Sequence, residues 1–154
     1  MSNVSVEKEK KVYVSLYKKD SLSYTLTLCA IVAELVYVIS ILDVMPVSYL
    51  MGVTVMVNIA ILFALFTCAV KMNVYDKIWA LVAIVLGIYM IIRQFVLVPV
   101  LLQPYDRQLT IAVANLVGAA LLMTAGNISK QKSEKRSRLQ KKLTDMGEDQ
   151  NGGA

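Results

Sequence analysis

Long apolar runs separated by short polar segments dominate the pattern of this chain. About 20 apolar residues in a helix span the roughly 30 Å hydrocarbon core of a bilayer. Four runs approach or exceed that length, and we place the predicted spans at residues 22–42, 47–70, 78–98 and 109–125. The pattern therefore predicts an all-α integral membrane protein, built as a four-transmembrane-helix bundle.

Composition agrees with this interpretation and adds two tails. Of 154 residues, 57% are hydrophobic and 18% are charged, a balance that is too apolar for a soluble domain of this size. The charges collect in a basic N-terminal tail (residues 1–21) and a basic C-terminal tail (residues 126–154), on either side of the membrane domain (residues 22–125). Helical spacing of Leu139, Leu143 and Met146 predicts that the C-terminal tail is partly helical, with its last eight residues disordered.

The distribution of Lys and Arg predicts the orientation. The N-terminal tail has five lysines, the second loop has Lys71 and Lys77, and the C-terminal tail has seven basic residues. On the opposite side, the first loop has no Lys or Arg and the third loop has only Arg107. Because short cytoplasmic segments carry the excess of basic residues, both termini are predicted to be cytoplasmic (N-in, C-in). The predicted location is the cell membrane, and the strong lysine asymmetry suits a bacterial inner membrane.

Two charged residues of opposite sign fall inside the spans, Glu34 in "LCAIVAELVYVIS" and Arg93 in "GIYMIIRQFVL". An ionisable group in the bilayer is costly and requires a partner. At 1.5 Å per residue, Glu34 lies about 18 Å and Arg93 about 22 Å from the cytoplasmic ends of their spans. The two depths are compatible with an ion pair on the diagonal of an up-and-down bundle.

Other polar side chains are predicted to join this pair. Tyr37 and Tyr89 lie three and four residues from Glu34 and Arg93, on the same helix faces, and Asn58 lies within the second span. Together these five residues are the best candidates for a binding site. The alternative is a buried structural network that sets the register of the helices.

The fourth span carries a stripe of small residues at helical spacing. Ala112, Asn115, Gly118 and Ala119 belong to it, and Gly126 continues it. Small residues allow two helices in a membrane to approach closely. The stripe packs either within this chain or against a second membrane protein, and the sequence leaves both open.

The segment "AIVAE", residues 30–34, adds a family resemblance. Four short spans with a single acid in the first resemble the small multidrug resistance transporters. The resemblance covers about five residues and the number of spans, and it implies that Glu34 exchanges a proton for a substrate cation. The third span, "IWALVAIVLGIYMIIRQ", lacks the glycine-rich tryptophan motif of that family, and Arg93 would hold Glu34 ionised.

The residue inventory excludes several chemistries. The chain has no histidine and no Cys/His cluster, so the usual zinc sites and the Ser-His-Asp and Cys-His nucleophiles are not possible. We expect no catalytic residues, no metal and no cofactor. The basic tails are expected to contact anionic lipids of the inner leaflet. Nucleic acid is not an expected partner, because residues 130–142 lack interleaved aromatic residues.

Three functions remain open. The first is a non-enzymatic accessory or assembly subunit of a larger membrane complex, contacted through the fourth helix and the basic tail. The second is a small proton-coupled transporter or channel that uses Glu34 and works as a homo-oligomer. The third is a holin-like protein that perturbs the membrane.

Overall fold

The described part of the chain is helical apart from its connections. The computed structural model describes residues 20–43, 45–74, 76–96 and 105–151, with side chains in the last range described for residues 107–141. The helices are α1 (Ser21–Leu42), α2 (Tyr49–Met72), α3 (Lys77–Val96) and α4 (Tyr105–Asn151). Each is long and apolar enough to cross a membrane.

The first three helices begin and end within two residues of the predicted spans. The fourth begins at Tyr105 and continues to Asn151, well beyond the predicted span of 109–125. Its helix includes residues 147–151, which we expected to be disordered, whereas residues 152–154 lie outside the described part. No glycine or proline interrupts residues 127–146, and Lys, Arg, Gln and Leu there favour helix. The N-terminal tail also lies almost wholly outside the described residues.

The helices contact one another in a ring. α4 packs closely against α1 and α3, whereas α2 packs more loosely against the same two helices and least closely against α3. Therefore α1 lies diagonally opposite α3, and α2 lies diagonally opposite α4. Consecutive helices run in opposite directions, since Asp20 before α1 contacts Asn73 after α2, and Asp43 after α1 contacts Arg107 in α4.

Glycines explain how closely α4 approaches its neighbours. A Cβ atom on Gly126 would lie 2.8 Å from the backbone oxygen of Ala80 in α3. A Cβ atom on Gly118 would lie 3.3 Å from the Cβ of Ala33 in α1 and 2.9 Å from the Cε of Met90 in α3. Gly118 and Gly126 of the small-residue stripe thus pack against α1 and α3 within the chain.

The outward faces of the helices are strongly apolar. Side chains that are more than half exposed occur on all four helices, and examples are Val32, Ile39, Met56, Phe63, Phe95 and Leu109. Contiguous apolar surface of this extent is unusual on a soluble protein. It is compatible with a small membrane protein whose helices face lipid.

Asp20 joins three helices at the end of the bundle where α1 begins. Its carboxylate accepts hydrogen bonds from the backbone N–H of Ser23 at 3.3 Å, the hydroxyl of Ser23 at 2.7 Å and Nζ of Lys132 in α4 at 2.6 Å. Its own N–H donates to the backbone oxygen of Asn73, after α2. We call this set the Asp20 clasp. Burial raises the pKa of Asp20, but the bonds from Lys132 and Ser23 outweigh burial and hold it below its ordinary value.

Candidate functional site

One polar side chain from each helix meets at the centre of the bundle. Glu34 and Asn115 are fully buried, and Asn58 and Arg93 are 6% and 5% exposed. We call these four residues the central polar cluster. At 1.5 Å per residue, Glu34 lies about 20 Å along α1 from Ser21 and about 12 Å from Leu42. The cluster is therefore deep between the two ends of the bundle.

Arg93 and Glu34 form the core of this cluster, as the sequence predicted. Nη1 of Arg93 donates to Oε1 of Glu34 at 2.7 Å, and Nη2 donates to Oε2. The guanidinium and the carboxylate thus meet in the two-pronged geometry that makes such pairs strong. The diagonal placement of α1 and α3 brings the pair to the bundle axis.

Two asparagines complete the coordination of the guanidinium. Asn115 accepts a hydrogen bond from Nε of Arg93 at 2.8 Å and donates to the backbone oxygen of Met90 at 2.6 Å. Asn58 accepts from Nη1 at 3.2 Å and donates to the backbone oxygen of Thr54. Arg93 therefore makes four hydrogen bonds within the described part of the chain, although a guanidinium carries five N–H groups. The sequence analysis placed Asn115 in the packing stripe and not in this cluster, so its bond to Arg93 was not predicted.

Tyr37 contacts the cluster with its ring. Cζ of Arg93 lies 3.7 Å from the ring centroid, which is close enough for a cation–π interaction. The Tyr37 side chain is 1% exposed, and its hydroxyl has no hydrogen-bond partner among the described residues. We predicted that the hydroxyl of Tyr37 would join the cluster, whereas in the structure its aromatic ring contacts Arg93.

Tyr89 lies at the edge of the site. It is 40% exposed, and no hydrogen bond joins its hydroxyl to Glu34 or Arg93 in the described part of the chain. The four-residue spacing correctly places Tyr89 beside Arg93 on α3, but spacing does not determine which way a side chain turns. Its hydroxyl is outside the hydrogen-bonded cluster that we had predicted for it.

A cleft between α2 and α3 leads to the cluster from the side. Its volume is about 230 Å³, and it opens to the outside of the bundle. Val53 and Val57 of α2 and Ile92 and Val96 of α3 form its apolar walls. Its remaining lining residues are polar or aromatic, and they are Tyr37, Thr54, Asn58, Tyr89 and Arg93. The cleft lies where the two neighbouring helices pack least closely.

The chemistry of the cluster is that of a neutral, hydrogen-bonded ion pair. Both oxygens of Glu34 accept bonds from Arg93, so each charge has its partner within the bundle. Asp, Glu and Cys do not gather into a group of three suited to a metal ion within the described residues.

Comparison with known proteins gives no family for this chain. No protein-family model, curated protein or solved structure matches it significantly.

Proposed function

We propose that this chain is a non-enzymatic accessory or assembly subunit that presents the end of α4 to a larger membrane complex. The observation that carries the proposal is the continuity of α4, which runs for 47 residues without a break. The other helices begin or end level with residues 132–134 of α4. Two ion pairs show this, Lys77–Glu134 and Asp20–Lys132. Residues 135–151 extend beyond that level by about 25 Å.

The extension carries the groups that a docking helix needs. Lys135, Arg138 and Lys141 are exposed on it, and they add to the basic character of the C-terminal tail. We place this end, with both termini, on the cytoplasmic side, because the excess of Lys and Arg favours that orientation. The complementary partner is an acidic surface on another membrane protein, and anionic lipid is the second contact.

Packing inside the bundle supports the same assignment. Asn115, Gly118 and Gly126 are occupied by contacts to α1 and α3, so the small-residue face of α4 is not free for a partner. Substituting Gly118 would disturb the bundle itself and would not test association. The extension of α4 lies beyond these contacts, and its basic side chains are exposed.

A charge-reversal experiment tests the proposal. We expect the triple variant K135E/R138E/K141E to lose the large complex on a native gel in mild detergent, with normal amounts of protein in the membrane fraction. The matched control is Lys71→Glu, an exposed basic residue at the same end of the bundle but on α2. A complex of unchanged size in the triple variant would refute the proposal.

Lipid contact is measured separately on the same variants. Flotation with phosphatidylcholine vesicles, with and without phosphatidylglycerol, reports whether a peptide of residues 127–151 binds anionic lipid. If the triple variant loses vesicle binding but retains the native-gel complex, the extension recognises lipid and the accessory-subunit proposal fails.

The second candidate function is a small transporter, which the lateral cleft to Arg93 favours. It requires proton-coupled flux in reconstituted vesicles that disappears in Glu34→Gln. The occupied oxygens of Glu34 weigh against this mechanism. A holin-like function would instead produce an abrupt loss of membrane potential when expression is induced.

A further inference from the structure

Two side chains that line the α2–α3 cleft carry hydrogen-bond donors without acceptors among the described residues. The hydroxyl of Tyr37 is buried without a partner among the described residues, although Tyr37 lines the cleft. Arg93 also lines it and uses four of its five N–H groups. A buried donor without an acceptor is costly, so each such group in a native protein calls for an explanation.

We propose that this cleft binds a neutral, lipid-soluble molecule through a carbonyl oxygen. A carbonyl oxygen has two lone pairs and can accept from the Tyr37 hydroxyl and the remaining Arg93 N–H. The molecule is neutral because Glu34 already balances the charge of Arg93. The walls of Val53, Val57, Ile92 and Val96 favour an apolar body.

The size and opening of the cleft define how the molecule sits. A volume of about 230 Å³ is below the roughly 300 to 1,000 Å³ of pockets that enclose a whole small molecule. The cleft therefore holds only the carbonyl-bearing end. A hydrocarbon tail leaves through the open side, past Ile92 and Val57, and lies along the exposed apolar surface of α2 and α3.

Depth favours one of two sources of such a carbonyl. The ester carbonyls of phospholipids lie at the edge of the hydrocarbon core, whereas a quinone on an isoprenoid tail moves within it. Asn58 is about 13 Å along α2 from Tyr49, which places the inner end of the cleft well below that edge. A quinone-type carbonyl is thus the better match.

Three probes that share a ten-carbon tail separate the sources. The protein, purified in detergent, is titrated with a decyl benzoquinone, with methyl decanoate and with decane, and its melting temperature is measured. We expect a saturable increase with a carbonyl probe and none with decane. Stabilisation by the quinone alone identifies a quinone site, and stabilisation by the ester identifies an acyl-lipid site. Equal effects of all three probes, or no saturable effect of any, would overturn the proposal.

Variants locate the binding in the cleft. Tyr37→Phe keeps the ring beneath Arg93 and removes the hydroxyl, and we expect it to weaken the carbonyl probe about tenfold. Ile92→Trp fills the cleft and should abolish binding. Leu81→Trp is the matched control, because Leu81 and Ile92 are both on α3 and are both 55% exposed, but Leu81 does not line the cleft. Equal affinity in Ile92→Trp and Leu81→Trp would contradict the proposal, whatever the extension of α4 does.

Discussion

Arg93 donates to both carboxylate oxygens of Glu34, a residue 59 positions earlier, across the diagonal of the bundle. Each charge lies in a buried environment that would penalise it alone. The pair therefore explains why an acidic residue occurs in the middle of the apolar run of α1. It also links two helices that lie diagonally opposite each other in the bundle.

Removing either charge should destabilise the bundle more than removing both. We expect Glu34→Gln and Arg93→Gln each to lower the free energy of unfolding by about 3 kcal/mol, because each leaves a buried charge without its partner. The double variant should lose less than either single variant, because it leaves no unpaired charge. Unfolding in lipid bicelles by titration with sodium dodecyl sulfate provides the measurement.

An exposed pair in the same chain serves as the control for this cycle. Arg107 and Asp43 are 3.0 Å apart, and their side chains are 52% and 70% exposed. Arg107→Gln should therefore change the free energy of unfolding by less than about 1 kcal/mol. Strictly additive effects of the Glu34 and Arg93 substitutions would show that the two charges do not stabilise one another.

The two asparagines should contribute unequally. Asn115 is fully buried and bridges Arg93 and the backbone of Met90, so Asn115→Leu should cost about 2 kcal/mol. Asn58 makes a longer bond to Arg93, and its amide nitrogen bonds only its own helix, so Asn58→Leu should cost about 0.6 kcal/mol. The same bicelle titration compares them, and a larger loss for Asn58→Leu would refute this ranking.

The glycines should differ according to what their missing side chains would meet. Gly126→Ala places a Cβ 2.8 Å from a backbone oxygen of α3 and should destabilise by about 2 kcal/mol. Gly52→Ala on α2 meets nothing within 4 Å and should stabilise by about 0.5 kcal/mol through its helix propensity. Melting temperatures in one detergent test the pair, and similar shifts in both would be inconsistent with close packing of α4.

The Asp20 clasp should make stability depend on acidic pH. Its lowered pKa means that its stabilisation is fully present above the unfolded-state value, about 3.9 for aspartate, and is lost as pH falls through the lower folded-state value. The difference in melting temperature between the wild type and Asp20→Asn should be constant from pH 7 to about 4.5 and then shrink. A difference that widens on acidification would contradict the assigned sign.

The sequence predicted the helices and the ion pair because both follow from composition and periodicity. Apolar runs of membrane-spanning length determine α1 to α3, and two opposite charges in four spans leave few alternative partners. Contacts that depend on the direction of a side chain could not be predicted from composition and periodicity. Tyr37 offers its ring and not its hydroxyl, and Tyr89 turns to the edge of the cleft, although both occupy the expected helical positions.

Asn115 shows a different limit. Its spacing relative to Gly118 and Ala119 correctly placed it on the closely packed face of α4. What the spacing could not show is that this face and the polar centre of the bundle coincide. The extent of α4 was underestimated for a related reason, since hydropathy ends at the membrane whereas the backbone hydrogen bonds of a helix do not.

Two polar side-chain contacts, far apart along α4, join this continuous helix to the rest of the bundle. Asn115 fixes it to Arg93, and Lys132 fixes it to Asp20 about 26 Å further along the same helix. Because α4 is one continuous helix, a tilt about the Lys132 attachment moves Asn115 and the far end of α4 in opposite directions. A displacement of the far end of α4 is therefore transmitted to the hydrogen bond between Asn115 and Arg93.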